Sequence, residues 1–268
     1  MSLPAAIIES TRIGVNRVLS ERSLKQALAR AGLSAPVRFD EVTGSTNETA
    51  LELAAAGTPE WTLVATGHQT AGRGRLGRSW EDRAGDALLF SIVLRPELEP
   101  GRAGLLSLLA GWAMAEACRE ACGVEVACRW PNDLVIADRK VGGILAESRV
   151  GAVVRHVVLG IGVNLARAPS GVDGAGAVGP CDPAELLAAF LQVFERRYEP
   201  THPAFAGAVL AGYRQICATI GREVRATEVG GIAVEGRAVG VDEVGGLVVE
   251  TRDGPRTIAF GEIEHLER

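Results

Sequence analysis

The segment Gln-Thr-Ala-Gly-Arg-Gly-Arg-Leu-Gly-Arg-Ser-Trp, which spans Gln69 to Trp80, concentrates three glycines and three arginines in one short stretch. Glycine permits a positive φ and a close approach of backbone to ligand, and arginine presents a rigid fork of donors that fits carboxylate or phosphate. The composition therefore predicts an anion-binding loop, called the Gly/Arg loop below. A mobile surface hairpin is the simpler alternative, but three arginines beside a tryptophan favour the binding loop.

The sequence on either side of the Gly/Arg loop decides which kind of fold carries it. Gly72, Gly74 and Gly77 match the dinucleotide pattern G-x-G-x-x-G, but in a Rossmann fold that loop must open a helix. Here it is preceded by a predicted strand, Trp61 to Thr66, and followed by the apolar, strand-forming run Asp86 to Leu94. The loop is therefore predicted to join two strands, and the Rossmann interpretation fails. A Walker A interpretation fails as well, because no Gly-Lys-Ser/Thr follows the glycines.

The composition is that of a globular protein with one large domain, or a large and a small one, in 268 residues. A net charge of -5 and a pI near 5.5 argue against a nucleic-acid partner, whose phosphates would need a basic face. No apolar run reaches the roughly 18 residues of a membrane span, and Met1 to Leu19 lacks the order of a signal peptide. We expect a cytoplasmic protein with no membrane partner.

The cysteines and histidines show no metal-binding or disulfide pattern. The five cysteines are odd in number and include no C-x-x-C pair, and the four histidines have no ligand spacing. We therefore predict no zinc site and no disulfide framework, and we interpret the following residues as buried thiols: Cys118, Cys122, Cys128, Cys181 and Cys217.

Two further segments carry polar groups that a site could use. Ser45 or Thr46 is placed to cap a helix that continues to Gly57, and from spacing alone capping accounts for both hydroxyls. Pro131-Asn132-Asp133 separates two predicted strands, and Lys140 begins the strand that follows them. Ordinary turn chemistry would explain each of these residues separately. Because they flank the same strand pair, with Gly142-Gly143 beyond, together they indicate a site.

After Gly221 the pattern changes to short alternating strands separated by Gly or Asp-Gly turns, the last predicted strand ending at Phe260. This pattern is typical of a small β-barrel. A module of under about 50 residues is marginally stable alone, so we expect it to dock on the larger domain. The predicted domains are 1–220 and 221–268.

The charges predict a chemistry in which two anions meet. Two unit negative charges ~4 Å apart repel by about 4 kcal/mol at an effective dielectric near 20, so a carboxylate approaching a triphosphate needs cations around it. Arg73, Arg75 and Lys140 provide them. No Ser-His-Asp or Cys-His nucleophile is present in a recognisable pattern, which favours a mixed-anhydride intermediate in the activation of a carboxylic acid by ATP.

These motifs, in this order, resemble those of biotin protein ligases. The similarity extends over nearly the whole chain from Ser20, and five ordered motifs are far more specific than any one of them. The small C-terminal domain of that family is matched by Gly231-Ile-Ala and Gly245-Gly-Leu-Val-Val. The catalytic motifs are Ser45-Thr46-Asn47, Gln69 to Trp80, Trp130-Pro-Asn-Asp133, Lys140-Val-Gly-Gly-Ile-Leu145 and Gly160-Ile-Gly-Val-Asn164.

The resemblance implies an α+β fold. Its catalytic domain would have a mixed β-sheet of the biotin/lipoate ligase type, like class II aminoacyl-tRNA synthetases, followed by a small SH3-like β-barrel. It implies that biotin and MgATP give biotinyl-5'-AMP and pyrophosphate. A lysine of the biotin carboxyl carrier protein of an acyl-CoA carboxylase then takes the biotin as an amide. ATP and Mg²⁺ would be substrate and activator, and no resident metal site is expected.

The resemblance also implies roles for individual residues. The catalytic residues would be Lys140, Arg75 and Asp133, with Asp133 orienting or deprotonating the incoming lysine. The biotin site would comprise Ser45, Thr46, Asn47, Gln69, Gly72, Arg73, Gly74, Arg75, Lys140 and Gly143. The ATP site would comprise Arg75, Arg78, Trp80, Asn132, Lys140 and Asn164. The Gly/Arg loop would order over the bound adenylate and exclude water.

Two departures from the family pattern bear on these expectations. Arg129 stands where the family more often has lysine, which keeps the charge but changes its geometry. The residues before Phe39 are too few for the winged-helix domain of some members, so we expect a ligase without operator binding, as a monomer or homodimer. The alternatives are a lipoate protein ligase, with the same chemistry on another acid, and a non-catalytic biotin or nucleotide sensor. Retention of Lys140 and Asp133 counts against the sensor.

Overall fold

The computed structural model describes residues 19–150, 154–228, 231–259 and 261–266, and these ranges contain five α-helices and twelve β-strands. The predicted strand end at Phe260 and the outer limits of both predicted domains lie outside them. The helices are α1 (Glu21–Arg30), α2 (Thr46–Ala55), α3 (Gly104–Cys122), α4 (Pro183–Glu195) and α5 (Phe205–Ile216). The strands of the larger sheet are β1 (Val37–Asp40), β2 (Leu63–Thr66), β3 (Ala87–Leu94), β4 (Ala127–Arg129), β5 (Asp133–Ile136), β6 (Arg139–Val150) and β7 (Val154–Asn164).

The larger sheet is mixed, as predicted. Its order is β1-β2-β3-β7-β6-β5-β4, and only the β1–β2 pair among these described strands is parallel. The Gly/Arg loop leaves β2 and leads to its antiparallel neighbour β3, which confirms the predicted strand-loop-strand arrangement and the rejection of a Rossmann fold.

The central strands β2 and β3 are apolar throughout because both faces of the sheet are covered. Leu63, Phe90 and Ile92 belong to the main core together with α1, α3, α4 and α5, whereas Val64 and Val93 pack on the other face against α2. A strand buried on both faces has no reason to alternate with polar residues. α2 is therefore the one helix in the described chain that packs on the second face through this cluster, and its N-terminus is the part that reaches the site.

The small C-terminal sheet has the order β11-β10-β9-β8-β12. Its strands are β8 (Glu223–Glu228), β9 (Ala233–Val241), β10 (Leu247–Thr251), β11 (Gly254–Ile258) and β12 (Gly261–His265). Strand β12 was not predicted, because the segment Gly-Glu-Ile-Glu-His offers a single apolar side chain. The α+β class with a small C-terminal β domain is confirmed, while closure of the sheet into a barrel stays a prediction.

The small sheet docks on the larger domain, as expected from its size. The Trp130 indole Nε1 donates to the Gly245 carbonyl at 2.9 Å, and Arg214 donates to the Val241 carbonyl at 2.6 Å. The buried residues of β8 to β11 are continuous with the main hydrophobic core. The two sheets therefore share one core, which fixes the small sheet against the site.

The cysteine prediction is wrong for two residues. Cys122, at the end of α3, and Cys181, just before α4, form a disulfide with Cα atoms 5.4 Å apart, while Cys118, Cys128 and Cys217 are buried free thiols. The two bonded residues are 59 positions apart in sequence, so their pairing depends on how α3 and α4 pack and leaves no local signal.

The described residues contain neither a membrane-spanning helix nor a metal-binding cluster. Within these ranges, no helix combines the length and the apolar composition that crossing a membrane requires. Likewise, no group of three or more His, Cys, Asp or Glu side chains in the described part of the chain is arranged to hold a metal ion.

Candidate active site

A cavity of about 460 Å³ opens where the Gly/Arg loop, the N-terminus of α2, the turn between β4 and β5, strands β6 and β7, and the small sheet meet. The topology explains the meeting, since β7 lies between β3 and β6 and brings both ends of the loop near the β5–β6 hairpin. Most of the predicted site residues line this cavity: Ser45, Thr46, Asn47, Gln69, Arg73, Gly74, Arg75, Arg78, Trp80, Asn132, Asp133, Lys140 and Gly143.

Two predicted site residues, Gly72 and Asn164, do not line the cavity. Gly72 lies inside the Gly/Arg loop, where a Cβ would come within 2.4 Å of the Trp80 carbonyl oxygen. Asn164 is buried at the end of β7, and its Nδ2 donates to the Gly176 carbonyl at 3.0 Å. Its Oδ1 is buried without a hydrogen-bond partner among the described residues. Both residues therefore support the site without lining the cavity.

The N-terminus of α2 presents three buried polar residues, Ser45, Thr46 and Asn47. Ser45 occupies the N-cap position of α2, as predicted, but its side chain makes no capping hydrogen bond. Gln69 of the Gly/Arg loop does this instead: its Oε1 accepts from the Thr46 backbone N–H at 2.8 Å and from the Thr46 hydroxyl at 3.2 Å. A cap from a distant loop has no local sequence signal, and it leaves the hydroxyl of Ser45 for another purpose.

The Gly/Arg loop is folded on itself over the cavity. The Trp80 N–H donates to the Gly72 carbonyl at 2.9 Å, and the Gly74 N–H donates to the Arg78 carbonyl at 2.7 Å. Of the three glycines, which all permit a positive φ, Gly77 adopts one, with φ 76°. At Gly72 the glycine is required by the close approach of the Trp80 backbone, and at Gly74 a Cβ would make a tight contact of 3.3 Å with the Arg78 carbonyl oxygen.

Leu76, at the tip of the Gly/Arg loop, adopts the left-handed conformation that favours glycine, with φ 54°. Its side chain is 55% exposed. A non-glycine residue in this region costs free energy that its surroundings must offset, and such strain is concentrated in segments that change conformation. The tip of the Gly/Arg loop is therefore a strained part of the cavity wall.

The three arginines of the Gly/Arg loop contact both sheets and the turn between β4 and β5. Arg73 forms an ion pair with Glu147 of β6 at 2.9 Å, and Arg78 forms one with Glu262 of β12. Arg75 reaches the Asn132 Oδ1 and a carbonyl of β12, each at 3.4 Å. The loop is thereby tied both to the larger sheet and to the small one.

The environment of Arg75 is less favourable to charge than that of an exposed arginine. Burial lowers the pKa of its guanidinium, the carboxylates of Asp133 and Glu262 oppose that effect, and the positive charge of Arg78 adds to it. A half-buried cation that its neighbours only partly compensate gains from an incoming anion. Arg75 is therefore well suited to meet a carboxylate or phosphate.

Lys140 and Asp133 form an ion pair on the cavity wall, with Nζ and Oδ1 2.6 Å apart. The β5–β6 hairpin brings them together, since Asp133 pairs with Gly143 and a register shift follows in β5. The backbone of Lys140 is held on both sides, because its N–H donates to the Gly174 carbonyl and its carbonyl accepts from Gly176, both at 2.8 Å. An anionic ligand that contacts Lys140 must share it with Asp133.

Trp80 forms one wall of the cavity and lies on glycines. A Cβ at Gly162 would come within 2.7 Å of its ring, and one at Gly143 within 3.3 Å. The Lys140 Nζ is 5.9 Å from the centre of the ring. The Trp80 indole Nε1 is buried and has no hydrogen-bond partner among the described residues. A flat aromatic wall with a spare donor suits a planar heterocycle.

Several residues of this site were not predicted from the sequence. Gly160 and Gly162 were quoted only as part of a motif, yet both are needed for close packing, against Asn47 and Trp80 respectively. Glu147 was not considered, although it pairs with Arg73. The small sheet contributes lining residues for which nothing in the sequence gave a signal: Arg225, Thr227, Gly261, Glu262, Ile263 and Glu264.

Arg129, the departure from the family pattern, lines the cavity from β4. Its Nη2 donates to the Asp138 carbonyl at 2.8 Å, and its Nε is buried without a partner among the described residues. The guanidinium is therefore anchored at one end and has a donor to spare at the other.

Comparison with known proteins agrees with this geometry. Residues 39–164 match the Biotin/lipoate A/B protein ligase family, and residues 219–266 match the Biotin protein ligase C terminal domain. The chain is 36% identical over 230 residues to Biotin--[acetyl-CoA-carboxylase] ligase of Mycobacterium tuberculosis, covering 80% of this chain and 83% of that protein. It is 32% identical over 224 residues to the Bifunctional ligase/repressor BirA of Bacillus subtilis, covering 80% and 69% respectively.

A solved structure gives the same result in three dimensions. Biotin protein ligase from Aquifex aeolicus in complex with biotin and ATP superposes with a TM-score of 0.70 and 26% identity, covering 85% of this chain and 97% of that one. Two family models, two relatives above 30% identity and a shared fold point in one direction. The chain belongs to the biotin protein ligase family.

Proposed function

We propose that this protein activates biotin with ATP to form biotinyl-5'-AMP and transfers the biotin to a lysine of a biotin carboxyl carrier domain. The observation that carries the proposal is the cavity itself. One space of about 460 Å³ is bordered by a buried polar cluster at the N-terminus of α2 and by cationic side chains that include Arg73, Arg75, Arg78 and Lys140. That is the arrangement needed to bring a neutral polar head group, a carboxylate and a triphosphate together.

In this proposal the bicyclic head group of biotin lies at the N-terminus of α2. Ser45, Thr46 and Asn47 line the cavity and are nearly inaccessible to water, and Gln69 holds Thr46 in place. Polar groups removed from water gain most from a ligand that satisfies their hydrogen bonds, which makes such a cluster selective. The valeryl chain of biotin would then run past Gly74 and Gly143 towards Lys140.

The nucleotide lies, in the same proposal, between the Gly/Arg loop and the small sheet. Trp80 provides a flat surface with a spare donor, Asn132 provides an amide, and Arg75 and Arg78 face the phosphates. Asn164 contributes indirectly, because it holds Gly176, which in turn pairs with the backbone of Lys140. Magnesium enters with ATP as the MgATP substrate, in keeping with its preference for phosphate oxygens and water.

The first chemical step is attack of a biotin carboxylate oxygen on the α-phosphorus of ATP. A new oxygen–phosphorus bond forms, the bond to the bridging oxygen of the β-phosphate breaks, and pyrophosphate leaves with both bonding electrons. Lys140 and Arg75 lower the repulsion between the carboxylate and the phosphates and stabilise the charge of the transition state. Closure of the Gly/Arg loop protects the mixed anhydride from water.

The second step is attack of the acceptor lysine amine on the acyl carbon of the adenylate. The new bond is an amide, AMP leaves through its phosphate oxygen, and the amine loses a proton. Asp133 is the carboxylate on the cavity wall nearest to Lys140, 2.6 Å from its Nζ. We propose that Asp133 orients or deprotonates the incoming amine after Lys140 has moved to the phosphate.

The acceptor we propose is the biotin carboxyl carrier protein of an acyl-CoA carboxylase. The M. tuberculosis relative is named as a ligase for acetyl-CoA-carboxylase. The small sheet borders the cavity and provides a surface on which the carrier domain would dock. Residues 1–220 would form the catalytic domain and residues 221–268 the docked C-terminal domain. Lipoate transfer is not favoured, because the match over residues 219–266 is to a domain of biotin protein ligases.

The proposal is tested by incubating the protein with MgATP, biotin and a purified carrier domain, and measuring the mass of the carrier. We expect the mass of one biotinyl group to be added at a single lysine. A carrier domain in which that lysine is arginine is the matched control and should gain nothing. Addition of lipoate instead of biotin, or no addition by folded protein, would contradict the proposal.

A further inference from the structure

Two polar side chains that do not line the cavity contact Asn47 from behind it. The Ser91 Oγ on β3 is 2.6 Å from Asn47 Oδ1, and the Glu147 Oε2 on β6 is 2.8 Å from Asn47 Nδ2. The carbonyl of Leu145 is 3.3 Å from the same Nδ2. Ser91 is completely buried, and the Glu147 side chain is 22% exposed.

These partners fix the orientation of the Asn47 amide. The oxygens of Glu147 and Leu145 only accept hydrogen bonds, so the group that faces them is the NH₂, and both of its hydrogens are used. The oxygen of Asn47 receives the Ser91 hydroxyl and keeps one lone pair. Asn47 therefore offers a ligand in the cavity an acceptor and no donor.

The same count applies to Thr46. The Thr46 hydroxyl donates its single hydrogen to Gln69 Oε1 at 3.2 Å. The Ser91 hydroxyl is the donor in its 2.8 Å contact with Thr46, so its one hydrogen serves either Thr46 or Asn47. In both arrangements the hydroxyl of Thr46 has only lone pairs left for a ligand.

Neither the Asn47 amide nor the Glu147 carboxylate is free to rearrange. A Cβ at Gly160 would lie 1.9 Å from Asn47 Oδ1, so the amide lies directly on that glycine. The other oxygen of Glu147 is held by Arg73 of the Gly/Arg loop at 2.9 Å. The Glu147 carboxylate thus links Asn47, which lines the cavity, to Arg73 of the Gly/Arg loop.

We propose that Glu147 and Ser91 are positioning residues that set Asn47 and Thr46 as hydrogen-bond acceptors and thereby select an acid whose head group carries N–H donors. The inference rests on the proposed function and deepens it. The ureido ring of biotin has two N–H groups, and the dithiolane ring of lipoate has none. A ligand without donors leaves buried acceptors unpaired, which is the kind of mismatch that gives strong discrimination.

The test compares Glu147→Gln and Ser91→Ala with the wild-type protein. Glu147→Gln keeps the shape of the side chain but adds a donor, so the Asn47 amide is free to flip; Ser91→Ala removes the hydroxyl that fixes its oxygen. We expect the biotin dissociation constant, measured by calorimetry without ATP, to rise about tenfold or more in each variant. The KM for ATP and the melting temperature should change little. The double variant should lose less than the two single losses combined, because both act through Asn47.

A second readout separates polarity from simple loss of packing. Two biotin analogues, each methylated at one ureido nitrogen, should bind the wild-type protein more weakly than biotin does, and that penalty should shrink in Glu147→Gln. Glu52→Gln, the same substitution on an exposed position of α2, is the matched control and should leave both measurements unchanged.

Three results would overturn the inference. The first is biotin affinity that is unchanged in both variants. The second is an equal weakening of biotin and ATP with a lower melting temperature, which would make the residues merely structural. The third is wild-type protein that is folded and fails to bind biotin, which would overturn the proposed function as well and is detected before any variant is measured.

Discussion

Lys140 is the residue whose position decides whether the proposed chemistry is feasible. Its backbone is fixed on both sides by the segment around Gly174 and Gly176, and its ammonium reaches into the cavity from the β5–β6 hairpin. In this structure the ammonium contacts Asp133, at the point where a carboxylate and a phosphate would have to meet. A partly exposed cation that is anchored only through its backbone is able to exchange one anionic partner for another.

Replacing this lysine should slow adenylate formation without unfolding the protein. We predict that Lys140→Ala lowers the rate of adenylate formation about a hundredfold or more, because a preorganised charge at the reacting phosphate is lost. The rate is measured in a single turnover, and the fold is checked by circular dichroism. Lys25→Ala, on the exposed face of α1, is the control. Near-normal turnover by the variant would remove Lys140 from the mechanism.

Gly160 offers a second test at the scale of one residue. We predict that Gly160→Ala weakens biotin binding about tenfold or more, because the added methyl would displace the Asn47 amide, whose oxygen it would meet at 1.9 Å. Gly240→Ala is the matched control, since a Cβ at that strand position meets nothing within 4 Å. Calorimetric titration with biotin measures both variants, and equal affinities would show that Asn47 is not part of the site.

At the scale of elements, the Gly/Arg loop acts as the cover of the cavity. Its closed form depends on the contact between Gly72 and the backbone of Trp80, which leaves no room for a side chain. The loop is also tied to both sheets by Arg73 and Arg78. Such a loop opens and closes as one unit when its internal contacts are weakened.

We therefore predict that Gly72→Ser speeds the release of biotinyl-AMP. The added atoms would meet the Trp80 carbonyl at 2.4 Å, so the substitution destabilises the closed form, and we expect release about tenfold faster. Release is followed by chasing labelled adenylate from the preformed complex. Gly101→Ser, at a position where a Cβ has nothing within 4 Å, should leave release unchanged. Equal release rates would show that this loop does not retain the adenylate.

Strand β12 joins the small sheet to the motif that carries Asn132 and Asp133. The His265 Nε2 lies 3.3 Å from the Thr219 hydroxyl, which accepts the Trp130 N–H at 3.0 Å. Burial, together with the positive charges of Arg129 and Arg222, lowers the pKa of His265, and Asp138 opposes them. His265 is therefore kept neutral in the folded protein at a pH where an exposed histidine begins to charge.

This shift predicts a pH dependence of stability. Because the unfolded state binds the proton first, the stability contributed by neutral His265 is complete above the unfolded pKa of about 6.5 and falls as the pH drops through the lower folded pKa. We expect His265→Gln to lose less of its melting temperature than the wild type between about pH 6.5 and pH 5. Thermal melts across this range measure the difference, and parallel curves would contradict the assignment.

At the scale of the whole molecule, the strands of the larger sheet were predictable, whereas the contacts between segments distant in sequence were less so. β2 and β3 were predicted because strands covered on both faces are uniformly apolar, and the catalytic motifs pointed to most of the cavity. β12 was missed because its sequence offers a single apolar side chain. The roles of Gln69 as a cap, Glu147 as the partner of Arg73 and Cys181 as the partner of Cys122 depend on contacts between distant segments, which no local pattern encodes.

The contribution of the small sheet belongs to this largest scale as well. It shares the main core and places Glu262 opposite Arg78, so the cavity is complete only when both sheets are present. The small sheet is therefore part of the cavity wall.

The measurement that tests the central claim most directly is ATP–pyrophosphate exchange with biotin, with lipoate and with neither acid. It reports activation of the acid alone and needs no acceptor protein. We predict exchange with biotin and only background exchange in the other two reactions. Exchange with lipoate instead of biotin, or no exchange by folded protein, would contradict the assignment of this cavity as the site of biotin activation.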